Sequence, residues 1–162
     1  MYRWLVYVHI LAVFIFLLAH GGSASVAFRL GRERERSRVA ALLDLSSASL
    51  GIMYLSLLVM LTAGIILGFM GKWWGLGWIW VSLALLVLTA VGMYMRSSIP
   101  FNRVRQAAGL PYFDGRRAQP AATPASDEVV QAAAAAIRPA EVVAMGVVPI
   151  ALILWLMMFK PF

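Results

Sequence analysis

Two histidines, His9 and His20, are the only histidine, acidic or basic side chains inside the long apolar runs of this chain. An imidazole can ligate a metal or a tetrapyrrole iron, carry a proton, or hydrogen-bond a neighbouring helix. At membrane depth any polar side chain is costly enough to raise a functional hypothesis. The two are eleven residues apart. On an α-helix that is about 1100° of rotation, so the rings stand roughly 20° apart around the axis and about 16–17 Å apart along it. One haem cannot bridge both, because axial nitrogens lie only about 4 Å apart across an iron with bonds of about 2 Å. Each site therefore needs a second ligand from a homodimer, a partner subunit or a methionine, the His/Met pair being a known haem ligation in cytochromes. Met53 and Met60, seven residues apart, share a face of the second apolar run at inner and middle depth. A five-coordinate haem or another tetrapyrrole needs a single histidine only. The plainer readings are that nine methionines in an apolar chain mostly pack, and that a neutral histidine simply hydrogen-bonds the next helix.

Small residues crowd His20: Ala19, Gly21, Gly22, Ser23, Ala24, Ser25 and Ala27, with Ala12 between the histidines on their shared face. A flat macrocycle needs such room, and so does tight helix packing. No Gly-rich phosphate loop, zinc-protease motif or intramembrane carboxylate pair is present, and the absence of cysteine excludes disulfides and thiolate metal sites. Asp44 and Glu141 are the acids nearest the apolar runs, where pairing with nearby arginines competes with proton handling as their role.

The elements that must position these residues follow from composition. Of 162 residues, 62% are hydrophobic and 13% charged, against about 45–50% and 25% in soluble domains. Four uncharged runs, residues 4–28, 46–70, 73–95 and 142–159, approach or exceed the roughly 20 residues that cross a bilayer core. The expected fold is a single all-α membrane domain, a bundle of four transmembrane helices. The first run is too long for the roughly 7–15-residue core of a cleaved signal peptide. Five arginines fall in residues 29–45 and six in residues 96–141, against Arg3, Lys72 and Lys160 elsewhere. That bias makes both loops cytoplasmic and puts both termini outside. It also accounts for the net charge of +7 as topology and attraction to anionic lipid, not nucleic-acid binding. All six tryptophans fall in the outer halves of their runs, as an interfacial belt does.

Only Gly71–Lys72 separates the second and third runs, which predicts an antiparallel hairpin, and Gly64 with Gly68 would let a backbone approach closely. Ser37 is a plausible N-cap, with Val39, Leu42 and Leu43 continuing the helical pattern into the second run. Residues 118–125, rich in Pro and Ala, should be extended or mobile. Ser126 should cap a short helix through five alanines, and Pro139 should end it, with Pro149 a kink in the last run.

The motif Tyr7-Val-His9-Ile-Leu-Ala, followed by His20-Gly21-Gly22-Ser23 and an Arg-rich turn, resembles a bacterial family of four-helix membrane proteins. That family is distantly similar to the copper-resistance D domain and to the membrane protoporphyrinogen oxidase of haem synthesis. The two histidines also resemble those of membrane b-type cytochromes, where one helix serves two stacked haems. The likeness covers about the first 95 residues. It implies a bacterial cell-membrane location, and either copper handling by histidine and methionine or haem or tetrapyrrole binding at His9. The lysine-bearing, aromatic-rich second helix of the oxidase is absent, which argues against that activity. The expectation is a non-enzymatic membrane subunit of a larger complex or a homo-oligomer, its histidines facing a partner or a tetrapyrrole such as haem b. The alternatives are a b-type haem electron-transfer protein and a copper transporter. A reporter fused after Phe162 should be active only if it is one that functions outside the cell; activity of a cytoplasm-only reporter would reverse the orientation.

Overall fold

The computed structural model covers residues 1–162. Helix α1 spans Tyr2–Leu30 and α2 spans Arg36–Met70. After a 3-10 turn at Trp73–Gly75, α3 runs from Gly77 to Met93. It passes through a π-helical turn at Tyr94–Ser98 and continues as α4, Ile99–Ala107. A short antiparallel ladder pairs β1, Tyr112–Phe113, with β2, Ala118–Gln119. Helices α5, Asp127–Ala135, and α6, Pro139–Phe159, complete the chain. Four helical stretches are long and apolar enough to cross a membrane, as the composition requires.

Several boundaries differ from the sequence pattern for identifiable reasons. The α2 helix begins ten residues before its apolar run, and its N-cap position is Glu35, in extended conformation. Ser37 therefore lies in the first turn, where its hydroxyl donates to the Glu35 carboxylate. At the far end of α3, Pro100 lacks the N–H that a continuous helix would use. The wider π turn directly before it absorbs the missing bond, and the helix carries on as α4.

Helix pairing follows small residues rather than chain order. On α1, Ser23 and Ser46 of α2 are hydroxyl to hydroxyl at 3.3 Å. A Cβ on Gly22 would lie 3.1 Å from the Ser49 hydroxyl. On α3, Gly92 leaves room for Met145 of α6, and Trp78 and Ile79 bury against Leu156. The bundle is thus two pairs, α1 with α2 and α3 with α6, joined by a narrower contact of α1 with α6. The expected packed hairpin of α2 on α3 does not form. The two share a turn, in which Lys72 takes a left-handed φ of 54°, and then diverge.

In the most apolar stretch of each spanning helix only 17% of residues are buried. The main core lies elsewhere, at the loop end. There Val26, Ala27 and Leu30 of α1 and Val39 and Leu43 of α2 meet Phe101, Val104 and Ala108 from α4 and its end. Val130, Ala134 and Ile137, on and just after α5, close the cluster of 11 buried residues. Of residues 118–125, expected to be extended or mobile, Ala118–Gln119 pair as β2, and the rest carry no helix or strand but are tied to the fold. Gly109, at φ 78°, ends α4 with its N–H on Gln106 O and that of Leu110 on Arg105 O. A Cβ at Gly109 would overlap the ring of Pro124. Ala125 N–H donates to Ala107 O, and Arg36 Nη2 donates to Ala125 O at 2.6 Å. Between the strands, backbone N–H groups of Arg116 and Arg117 and the Gln119 amide hold the Asp114 carboxyl below the usual carboxylate range.

This distribution of burial sets a stability contrast. Leu30→Ala, at a fully buried position, should cost about 2–5 kcal/mol. Leu58→Ala, 62% exposed on α2, should change stability by less than about 0.5 kcal/mol. Denaturant unfolding in detergent micelles measures both; equal losses would mean that the loop-end core is not what holds the fold.

Candidate functional site

His9 leans on α2. Its Nδ1 lies 2.8 Å from the backbone carbonyl of Met60. A carbonyl only accepts, so Nδ1 carries the proton of this hydrogen bond. The contact exists because of Gly64, one helical turn beyond Met60. A Cβ there would come within 3.1 Å of the imidazole Cε1. Gly68, the other half of the GxxxG pair, similarly receives the Trp74 indole, 3.2 Å from a hypothetical Cβ. The pair therefore seats two rings where the sequence pattern suggested a helix backbone. Met60 serves His9 through its main chain.

His20 is the most deeply placed titratable side chain, 4% exposed, and its Nε2 has no hydrogen-bond partner. Its ring abuts Gly146 of α6, where any Cβ would overlap it. The small-residue patch around His20 lets α2 come close, through Gly22 and Ser23, while Gly146 lets α6 close over the ring. The two histidines thus meet different helices. Gly146 was not a candidate in the sequence, since a single glycine in an apolar run carries no mark of which ring it will receive.

His20 also lines a cavity of about 470 Å³. Its deep part is apolar, formed by Phe16 of α1, Leu50, Met53 and Leu57 of α2, Leu86 and Ala90 of α3 and Ile150 of α6. Towards the loop end the wall turns polar, with Ser46, Ser47, Ser98, Asn102, Tyr112 and Gln119. Arg105 is the one charged side chain in the lining. Its Nη1 donates to Asp44 at 3.1 Å and to Ser47 at 3.0 Å, and its Nε to Pro111 O at 2.6 Å. Of the residues singled out in the sequence, His20 and Met53 share this cavity, while His9 and Met60 meet each other outside it. The other acid near a helix end, Glu141, is held by Arg138 at 2.8 Å and Arg96 at 3.0 Å.

Hydroxyls elsewhere in the helices are satisfied locally: Ser47, Ser49, Ser56, Ser82, Thr62 and Thr89 each donate to the carbonyl four residues back. An unsatisfied donor in lipid would be costly, and this back-bonding removes it. Against that background three buried ring nitrogens lack a partner, Nε2 of His20 and Nε1 of Trp74 and Trp78, and of the three residues only His20 lines the cavity. Together the fold and the site define a helical protein with four membrane-length helices and a largely apolar cavity that turns polar at the loop end. No family model matches the chain, and neither a curated protein nor a solved structure matches it significantly.

The two rings should respond differently to substitution. His9→Ala removes one interhelical hydrogen bond, a loss of about 0.6–2 kcal/mol. Gly146→Val should cost more, because the branched side chain must push α6 off the His20 ring. Comparing the denaturation midpoints of the two variants tests this; a harmless Gly146→Val would mean that α6 does not close over His20.

Proposed function

We propose that this chain is a non-enzymatic subunit of a bacterial cell-membrane complex, or a homo-oligomer, that holds a tetrapyrrole-sized ligand in the cavity beside His20. In this reading both termini lie outside, and residues 29–45 and 96–141 lie in the cytoplasm. The single observation that carries it is the pairing of His20, buried with a free Nε2, and Met53 in the wall of one large cavity. The volume falls within the roughly 300–1,000 Å³ of ligand pockets. The apolar deep wall suits a macrocycle face, and the polar loop end suits its carboxylates.

The residues present fit such a group in their chemistry. His20 would be the first choice of axial ligand, Met53 the second, and Arg105 the partner of a propionate. Haem bound there would supply a one-electron redox centre. What the chain's own residues do is orient and exclude: α1 presents the imidazole, the small residues around it leave space, and the apolar side chains keep water out. Gly146 now covers the Nε2 edge of the ring, so a bond from that nitrogen to iron requires α6 to withdraw locally. Pro149, inside α6 three residues on, weakens the helix where that movement would occur.

Protein purified in mild detergent from cells supplied with a haem precursor should show a Soret band. His20→Ala should abolish it with membrane insertion unchanged, since alanine leaves the first run apolar and the other three as they are. His9→Ala, outside the cavity, should leave it in place. A wild-type protein that is colourless and takes up no added haemin would overturn the tetrapyrrole reading.

A further inference from the structure

The cavity lies between two helix pairs and has no packed wall where α2 and α3 diverge. Met53, Tyr54 and Leu57 stand on one side of that gap and Leu86, Thr89 and Ala90 on the other. These positions lie well inside the apolar runs, where the surroundings of a spanning helix are lipid. At the loop end, the cavity's single charged side chain is fixed by three hydrogen bonds through Nε and Nη1, which leaves Nη2 with no protein partner. An arginine fork with one free arm is suited to a carboxylate or phosphate oxygen. It is 15% exposed, so solvent screens it less than the surface arginines.

From these features we infer that the cavity is loaded sideways out of the bilayer, through the gap between α2 and α3, by an amphiphile with an apolar body and an anionic head that Arg105 binds. The apolar body never has to cross water, and the head stays at the polar end throughout, so neither part is desolvated in the wrong place. A route through the loop end would have to part β1 and β2, whose residues Tyr112 and Gln119 line it. The inference rests on the cavity being a ligand site, as proposed above, but not on the ligand being a tetrapyrrole. Propionates and a lipid phosphate present the same head-group chemistry.

The full chain is reconstituted in phosphatidylethanolamine vesicles containing a trace of phosphatidylglycerol with a diazirine midway along one acyl chain. After irradiation, adducts are mapped by peptide mass spectrometry. Adducts are expected on Met53, Leu57 and Leu86. Diacylglycerol carrying the same diazirine, which has no phosphate, should give roughly tenfold fewer, the scale of one charge-assisted hydrogen bond. Arg105→Gln should erase that preference and Arg105→Lys should largely keep it, while Ala90→Trp, which narrows the gap, should lower the cavity adducts with either lipid. Adducts confined to the outward-facing Leu55, Leu58 and Leu88 would overturn sideways loading, and equal labelling by phosphatidylglycerol and diacylglycerol in the wild type would overturn the role of Arg105. Displacement of the label by protoporphyrin IX assigns the site to a tetrapyrrole, and labelling that resists it assigns the site to lipid. A colourless protein that labels at Met53 and Leu86 keeps sideways loading and removes the tetrapyrrole. A protein with a Soret band and no cavity adducts does the reverse.

Discussion

Lipid gives an apolar side chain no reason to leave it, so helices inside a bilayer are drawn together by close packing and hydrogen bonds and not by the hydrophobic effect. In this protein that constraint sorts the residues into two regimes. The spanning stretches bury few side chains and touch where glycine, serine or alanine permits. At the loop end, where the surroundings become aqueous, Leu30, Leu43 and Val104 are almost wholly buried and form a core of the ordinary kind. Residues on and just after α4 and α5 share this core with α1 and α2.

Close approach through a missing Cβ recurs at the sites that matter. Gly64 admits His9 to a main-chain carbonyl, Gly68 admits Trp74, and Gly146 admits His20. In each case a planar ring comes up against helix backbone at a glycine, where a methyl group would be tight at Gly64 and Gly68 and would overlap the ring at Gly146. The consequence differs between the histidines. His9 finds an acceptor and becomes part of the packing between α1 and α2. His20 finds none, and its ring instead forms part of the wall of a cavity, which is why the functional proposal falls on His20.

The charged residues of the loop end act mainly in placing α4 and α5. Arg36 reaches Asp127, Arg105 reaches Asp44, and Glu141 is shared by Arg96 and Arg138. Most of these pairs are solvent-exposed and individually contribute about 0–1 kcal/mol. Their value is directional: Arg36 with Asp127 sets α5 against the start of α2, Arg105 with Asp44 sets α4 against α2, and the buried apolar cluster supplies the stability. Arg105 is the exception, since it is largely buried and lines the cavity, with no protein partner on Nη2.

Much was decided by the sequence alone, because it depends on local or one-dimensional quantities. Four uncharged runs set the number of long helices, the Val39–Leu43 pattern set the loop-end extension of α2, and Ser126 and Pro139 marked α5 and the start of α6. The eleven-residue spacing singled out His9 and His20 as a pair worth following. Which helix each would meet depended on pairing across the bundle, and apolar periodicity does not encode it, because every face of a spanning helix is apolar. The splaying of α2 from α3, the cavity this opens, and the closure of Gly146 over His20 were settled by where small residues allowed contact. Likewise α4 went unseen in a polar segment, since Phe101 and Val104 bury against residues far away in the chain, and so did the Tyr112–Gln119 hairpin, which is tied by hydrogen bonds to Asn102 and Asp114. The sequence determined which groups could do chemistry at membrane depth, and only the tertiary structure decided which of them was left without a partner.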